Sequence, residues 1–159
     1  MAKSAYDIAP DATFTEAAHT SLRQQLEEMM SNLEGTRAGD DIEALHDMRV
    51  ASRRLRAALS VFTAAFPPKP FSVTEKEVAR VTDALGAVRD ADVQIEFMQI
   101  VEEGAPESEK VGLHAFVEHL QKGRDKERTV LVKELNRLEK SSFRKDFDVL
   151  LGDEEKYRG

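Results

Sequence analysis

The sequence predicts an all-α fold, an antiparallel four-helix bundle of long helices with a short fifth helix at its C-terminal end. Three observations carry this. Apolar residues recur every three or four positions over long stretches. Thr and Glu stand at capping-box spacing at the head of two of those stretches. And 8 Gly, 5 Pro, 2 Tyr and no Trp in 159 residues are too few turn formers and aromatics for many short strands.

Residues 1–12 read as a tail. The first helix is expected over about 14–34, opened by Thr13 with Glu16 and carrying Phe14, Ala18, Leu22, Leu26, Met29 and Leu33 on one stripe. Gly35 and Gly39 are expected to bracket a turn, after which Asp40 or Asp41 caps a second helix over about 41–66. Pro67-Pro68 stop it, because proline cannot continue a helix from within. The next stretch, 69–73, reads as a loop, and Thr74 with Glu77 as the capping box of a third helix over about 75–103. Gly104 and Pro106 punctuate, a fourth helix follows over about 107–139 with a bend expected near Gly123, and residues 143–151 form the short fifth. Residues 152–159 read as a frayed polar tail. The bundle thus occupies 13–151 as a single domain.

Composition excludes several classes. No apolar run approaches the roughly 18 residues of a membrane span, and the N-terminus lacks the apolar core of a signal peptide. With no Cys there is no disulfide and no thiolate metal site. A cytoplasmic protein is the expectation. The net charge of −7 argues against a general nucleic-acid binder. Yet residues 46–56, HDMRVASRRLR, hold four Arg, one His and a single Asp. A basic island in an acidic chain points to a local anion site.

On a helical wheel His46, Arg49, Arg53 and Arg56 fall within an arc of about 80°, opposite Leu45, Met48, Ala51, Leu55, Ala58, Leu59, Phe62 and Phe66. Arg54 flanks this stripe, and Asp47 points away from it. Like charges on adjacent turns repel by a few tenths of a kcal/mol per pair, a repulsion that a bound polyanion would remove. Arg89 and Asp92 lie in the apolar sector of the third helix, and Arg124, Glu127 and Arg128 interrupt that of the fourth. Such charges are costly unless paired or opened to water; Arg89 with Asp92 is the expected pair. Guanidinium suits phosphate through bidentate, charge-assisted hydrogen bonds. The alternative from spacing alone is a solvated basic face neutralised by acids on a neighbouring helix.

The strings LHDMRVASRRLRAALSVF and DALGAVRDADVQIEFM resemble the signature of the CHAD family, the conserved histidine α-helical domain: a His, then RVxxRRLR, then LGxxRDxD on the next helix. The matching residues are His46, Arg49, Val50, Arg53, Arg54, Leu55, Arg56, Leu85, Gly86, Arg89, Asp90 and Asp92. The resemblance implies a helical bundle with basic residues around a cavity, binding inorganic polyphosphate and, in some members, associated with polyphosphate granules. It implies His46, Arg49, Arg53, Arg54, Arg56 and Arg89 as the polyphosphate-binding set; the wheel adds Arg124 and Arg128. The resemblance is mainly to the N-terminal half of the family's two-part pattern, which raises the expectation that two copies pair as a homodimer about a twofold axis.

Four functions follow from these residues. The leading one is a polyphosphate-binding module with no cofactor and no catalytic residue. A structural or partner-docking bundle is the alternative. A metal site would have to use His19, His46, His114 or His119, but His114 and His119 are five apart on one helix, and His46 sits among cations. A phosphatase would need carboxylates beside the arginines, and Asp90 and Asp92 face different sides. No aromatic interleaving of the kind that reads bases accompanies the arginines.

Overall fold

The computed structural model describes residues 8–153; of the expected tails, 1–7 and 154–159 lie outside the described residues, while Asp153 of the expected frayed tail is held by Arg23. All regular structure among the described residues is helical: α1 (Phe14–Ser31), α2 (Leu33–Ala38), α3 (Ile42–Val61), a 3-10 turn (Thr63–Ala65), α4 (Pro68–Gly104), α5 (Glu107–Lys140) and α6 (Phe143–Leu150). Helices α1 and α3, α3 and α4, and α4 and α5 pack in sequence, and α6 lies against α4 and α5. Leu22, Leu26, Met29, Met48, Leu55, Leu59, Val78, Leu85, Leu131, Leu135 and Phe147 fill the core they share. Each such buried side chain stabilises the fold by about 1.5–3 kcal/mol.

The caps of the first helix and of α3 form as the sequence expects. The Thr13 amide donates to the Glu16 carboxylate at 2.8 Å, and the Glu16 amide donates to the Thr13 hydroxyl at 3.2 Å. The Asp41 carboxylate accepts from the Glu43 amide at 2.9 Å and starts α3.

Three boundaries differ from expectation. The first helix breaks at Asn32, and Gly35 lies inside α2 rather than in a turn. A Cβ on Gly35 would stand 2.9 Å from the Ala44 Cβ, so the missing side chain is what allows α2 to lie against α3. The second helix ends at Val61, five residues early. The chain tightens through the 3-10 turn and becomes extended at Phe66, whose ring is thereby buried between His19 and Phe71 at 5.5 and 5.7 Å. The third correction is the largest: 69–73 is helix, not loop. Pro68 is the first residue of α4 and Pro70 lies in its first turn, where backbone N–H groups have no intrahelical partner and proline sacrifices nothing. Phe71 is buried and anchors that turn. Thr74 is therefore no cap; its hydroxyl donates back to the Pro70 carbonyl at 3.1 Å. Helix α5 passes through Gly123 without interruption.

Ion pairs tie the outer faces. Arg137 of α5 donates to Glu77 of α4 at 2.7 Å and to Glu134 at 3.0 Å, while Arg80 of α4 reaches Glu134 at 2.9 Å. Arg23 of α1 meets Asp153 at 2.8 Å, and Arg144 of α6 meets Glu27 of α1. The consequence for function is a matter of length. At 1.5 Å per residue, α4 with 37 residues runs about 55 Å and α3 with 20 about 30 Å. The distal part of the α4–α5 hairpin stands beyond the end of α3.

Candidate functional site

Helices α3 and α4 run antiparallel and leave between their outer edges an open trough of about 660 Å³. The α3 wall is Arg49, Arg53, Arg56, Ala57 and Ser60; the α4 wall is Thr82, Asp83, Gly86, Ala87 and Asp90. The i, i+4, i+7 spacing of the arginines puts all three on one wall, and buried Met48, Ser52, Leu55 and Leu59 hold the other side of α3 in the core. Nothing lies within 4 Å of the place a Cβ would take on Gly86, so the trough floor there is open.

Carboxylates of the neighbouring helix face two of the arginines, as the alternative reading of the stripe expects, and leave the third without one. Arg56 stands 3.4 Å from Asp83, and Arg49 stands 3.8 Å from Asp90. Both aspartates are solvent-exposed, with side chains at 74% and 71% of full exposure. At these distances and exposures the pairs are loose. Arg53, between them, makes no hydrogen bond or ion pair with a described residue. The lining carries three guanidiniums and two carboxylates, a surplus of one positive charge. Asp83 and Asp90 stand singly, one against each outer arginine, and form no carboxylate cluster. A signal existed: Asp83 and Asp90 are seven apart, as Arg49 and Arg56 are, and matched spacings meet across antiparallel helices.

The remaining expected residues fall elsewhere. His46 shares the outward face of α3, two turns before Arg53, but does not line the trough. Arg54 is one residue on from Arg53, hence about 100° round the helix, exposed and away from the trough. Arg89 pairs with Glu96 at 3.7 Å rather than with Asp92. Asp92, 8% exposed, points to α5 and accepts from Arg124 Nε at 2.8 Å. Arg128 donates to the backbone carbonyls of Thr36 and Arg37 at 3.1 and 2.7 Å. It closes the end of α2, and its guanidinium fills the space beside Gly39, whose φ of 79° is left-handed. Arg124 and Arg128 thus tie helices together, through partners on other helices that a single wheel does not show.

Side chains of His, Asp and Glu among the described residues nowhere gather in threes that could hold a metal ion. His114 instead sits against Glu102 at 3.0 Å and Glu118 at 3.6 Å at the far end of the hairpin. No helix among the described residues is long and apolar enough to cross a membrane.

The fold and site define an all-helical bundle with one open, arginine-walled trough. The chain belongs to the CHAD domain family, whose model matches residues 20–159. The match spans nearly the whole chain, well beyond the two motifs on α3 and α4. CHAD domains are in general non-catalytic binding modules. No curated protein and no solved structure matches the chain.

Proposed function

We propose that this chain binds inorganic polyphosphate in the α3–α4 trough and does no chemistry on it. The observation that carries this is the convergence of Arg49, Arg53 and Arg56 on one open trough, with Arg53 unpaired and the other two held only loosely. Successive guanidiniums two turns or less apart can each fork onto a phosphate of a linear polyanion. His46, one turn before Arg49, extends the basic face of α3 beyond the trough, and Arg89, loosely against Glu96, adds charge nearby without lining it. Arg54 contributes only long-range attraction, and Arg124 and Arg128 are excluded because their guanidiniums are already bound within the fold. Such a module would localise to cytoplasmic polyphosphate.

The test is a titration with medium-length polyphosphate at two salt concentrations. Three guanidinium–phosphate contacts give a slope of log affinity on log salt of about −2.1 to −2.7, so affinity falls roughly 20- to 40-fold between 50 and 200 mM salt. R49A/R53A/R56A should abolish binding with helicity unchanged; retention of full affinity would remove the proposal. Phosphate release in the presence of magnesium or manganese would show turnover and overturn its non-catalytic part. The facing aspartates favour a second reading, in which the trough is only a self-neutralised joint between two helices; it predicts no binding at either salt.

A further inference from the structure

Beyond the trough, α4 carries a second surface. Arg56 stands against Asp83 and Arg49 against Asp90. The same antiparallel register takes Ile42, seven residues before Arg49, to the level of Phe97. There α3 begins, and α4 continues bare. The α4 face that continues the trough wall changes character at this point, presenting Val93, Phe97 and Ile100 at i, i+4, i+7 spacing. Phe97 and Ile100 are 63% and 67% exposed, and Ile42, which opens α3, is 50% exposed. They lie on the side of α4 away from α5, so the hairpin does not cover them. Contiguous exposed apolar side chains of this size mark a contact surface.

Charge says what fits it. The start of α3 exposes Asp40, Asp41 and Glu43, and α4 exposes Glu96 and Glu103 on the flank of the stripe. The base nearest on α4, Arg89, is already against Glu96. The notch between the end of α3 and the wall of α4 is therefore apolar at its centre and acidic at its rim. A second copy presenting the same face would bring carboxylates against carboxylates, which costs several kcal/mol across an interface. We infer that this notch docks a cationic amphipathic helix of a partner protein, lying where α3 would run if it were longer, with its apolar side on Phe97 and Ile100 and its lysines or arginines on the acidic rim.

The inference stands independently of polyphosphate binding. The full chain is titrated, by anisotropy, with a labelled synthetic amphipathic helix built only of Leu and Lys, and with a peptide of the same composition whose apolar residues are scrambled off one face. Two variants are compared, F97S/I100S, altered only at exposed positions, and R49A/R53A/R56A. The patterned peptide should bind the unaltered chain at least about ten-fold more tightly than the scrambled one, a difference of about 1.4 kcal/mol. F97S/I100S should lose about that factor, and R49A/R53A/R56A should keep it. Equal binding of both peptides, or no loss in F97S/I100S, would reduce the effect to attraction of a cation to an acidic chain and overturn the inference. So would a dimeric mass of the free chain that F97S/I100S converts to monomer, which would assign the notch to a second copy.

Discussion

Replacing the two trough carboxylates by amides should tighten polyphosphate binding rather than weaken it. In the free chain Asp83 and Asp90 hold Arg56 and Arg49 at 3.4 and 3.8 Å. The ligand must separate these pairs to reach the guanidiniums. Two unit charges 3.4 Å apart attract by about 1.2 kcal/mol in bulk water, and exposed pairs measured in proteins contribute about 0.2–1 kcal/mol. Both pairs are exposed, so the lower scale applies, and D83N/D90N should release about 0.4–2 kcal/mol, a two- to thirty-fold gain in affinity. The lining charge rises from plus one to plus three, so the salt slope should not become shallower. Calorimetric titration with medium-length polyphosphate at fixed salt checks this, beside a melting curve that should barely move, since both side chains lie outside the core. Unchanged or weaker binding by D83N/D90N would refute the reasoning: the arginines would not be the phosphate contacts, or the aspartates would be holding them in their binding positions.

Other perturbations separate stability from binding. G86L places a side chain on the open trough floor and replaces a mid-helix glycine; it should stabilise the chain by about 0.5–1 kcal/mol while weakening polyphosphate binding, so a variant that melts higher and binds equally well would move the ligand off this wall. G39A forces a left-handed backbone on alanine and displaces the Arg128 guanidinium from the carbonyls of α2; a loss of about 2–4 kcal/mol, read as a lower urea midpoint, is expected. His19 stacks on Phe66, and burial, with Arg23 adding to it and Asp153 opposing, holds its pKa below the usual imidazole value. The folded chain therefore binds this proton less readily than the unfolded one. The contribution is present above about pH 6.5 and is lost as the pH falls through the lowered value. Melting curves between pH 7.5 and 5 should show this component in the unaltered chain and lack it in H19Q.

What could be read from the sequence divides by the distance over which each feature is decided. The Thr13–Glu16 box, the Asp41 cap and the left-handed Gly39 depend on residues within one turn, and all are where the pattern puts them. The arginine wall is equally local, because a single helix fixes it. The start of α4 was hidden because proline reads as a breaker unless it is known to occupy a first turn, and only the burial of Phe71 decides that. The partners of Arg124 and Arg128 are hidden for the same reason: one wheel shows that a charge interrupts an apolar stripe, but not whether a neighbouring helix brings Asp92 or an open carbonyl to meet it. The facing aspartates required the register of α3 on α4, which no single-helix pattern contains.

That register also reconciles a basic trough with a chain of net charge −7. Counted from Asp90, Glu103 lies thirteen residues along α4, about 20 Å away at 1.5 Å per residue. The Debye length at physiological ionic strength is about 8 Å, so Glu103 lies more than two screening lengths from the arginines and scarcely opposes a polyanion there. Glu43 and Glu96, each six residues or about 9 Å from Arg49 and Asp90 respectively, are weakened by about one screening length, and Glu96 also has Arg89 against it. A polyanion in the trough senses mainly Arg49, Arg53, Arg56 and the two aspartates across from them. Had the same residues been spread evenly over α3 and α4, neither a positive trough nor an acidic notch would exist. The arginines line one side of α3 and the acidic rim gathers where α3 begins and α4 runs on beyond it, so a chain acidic as a whole presents a cationic surface and an anionic one at different levels of the same helix pair.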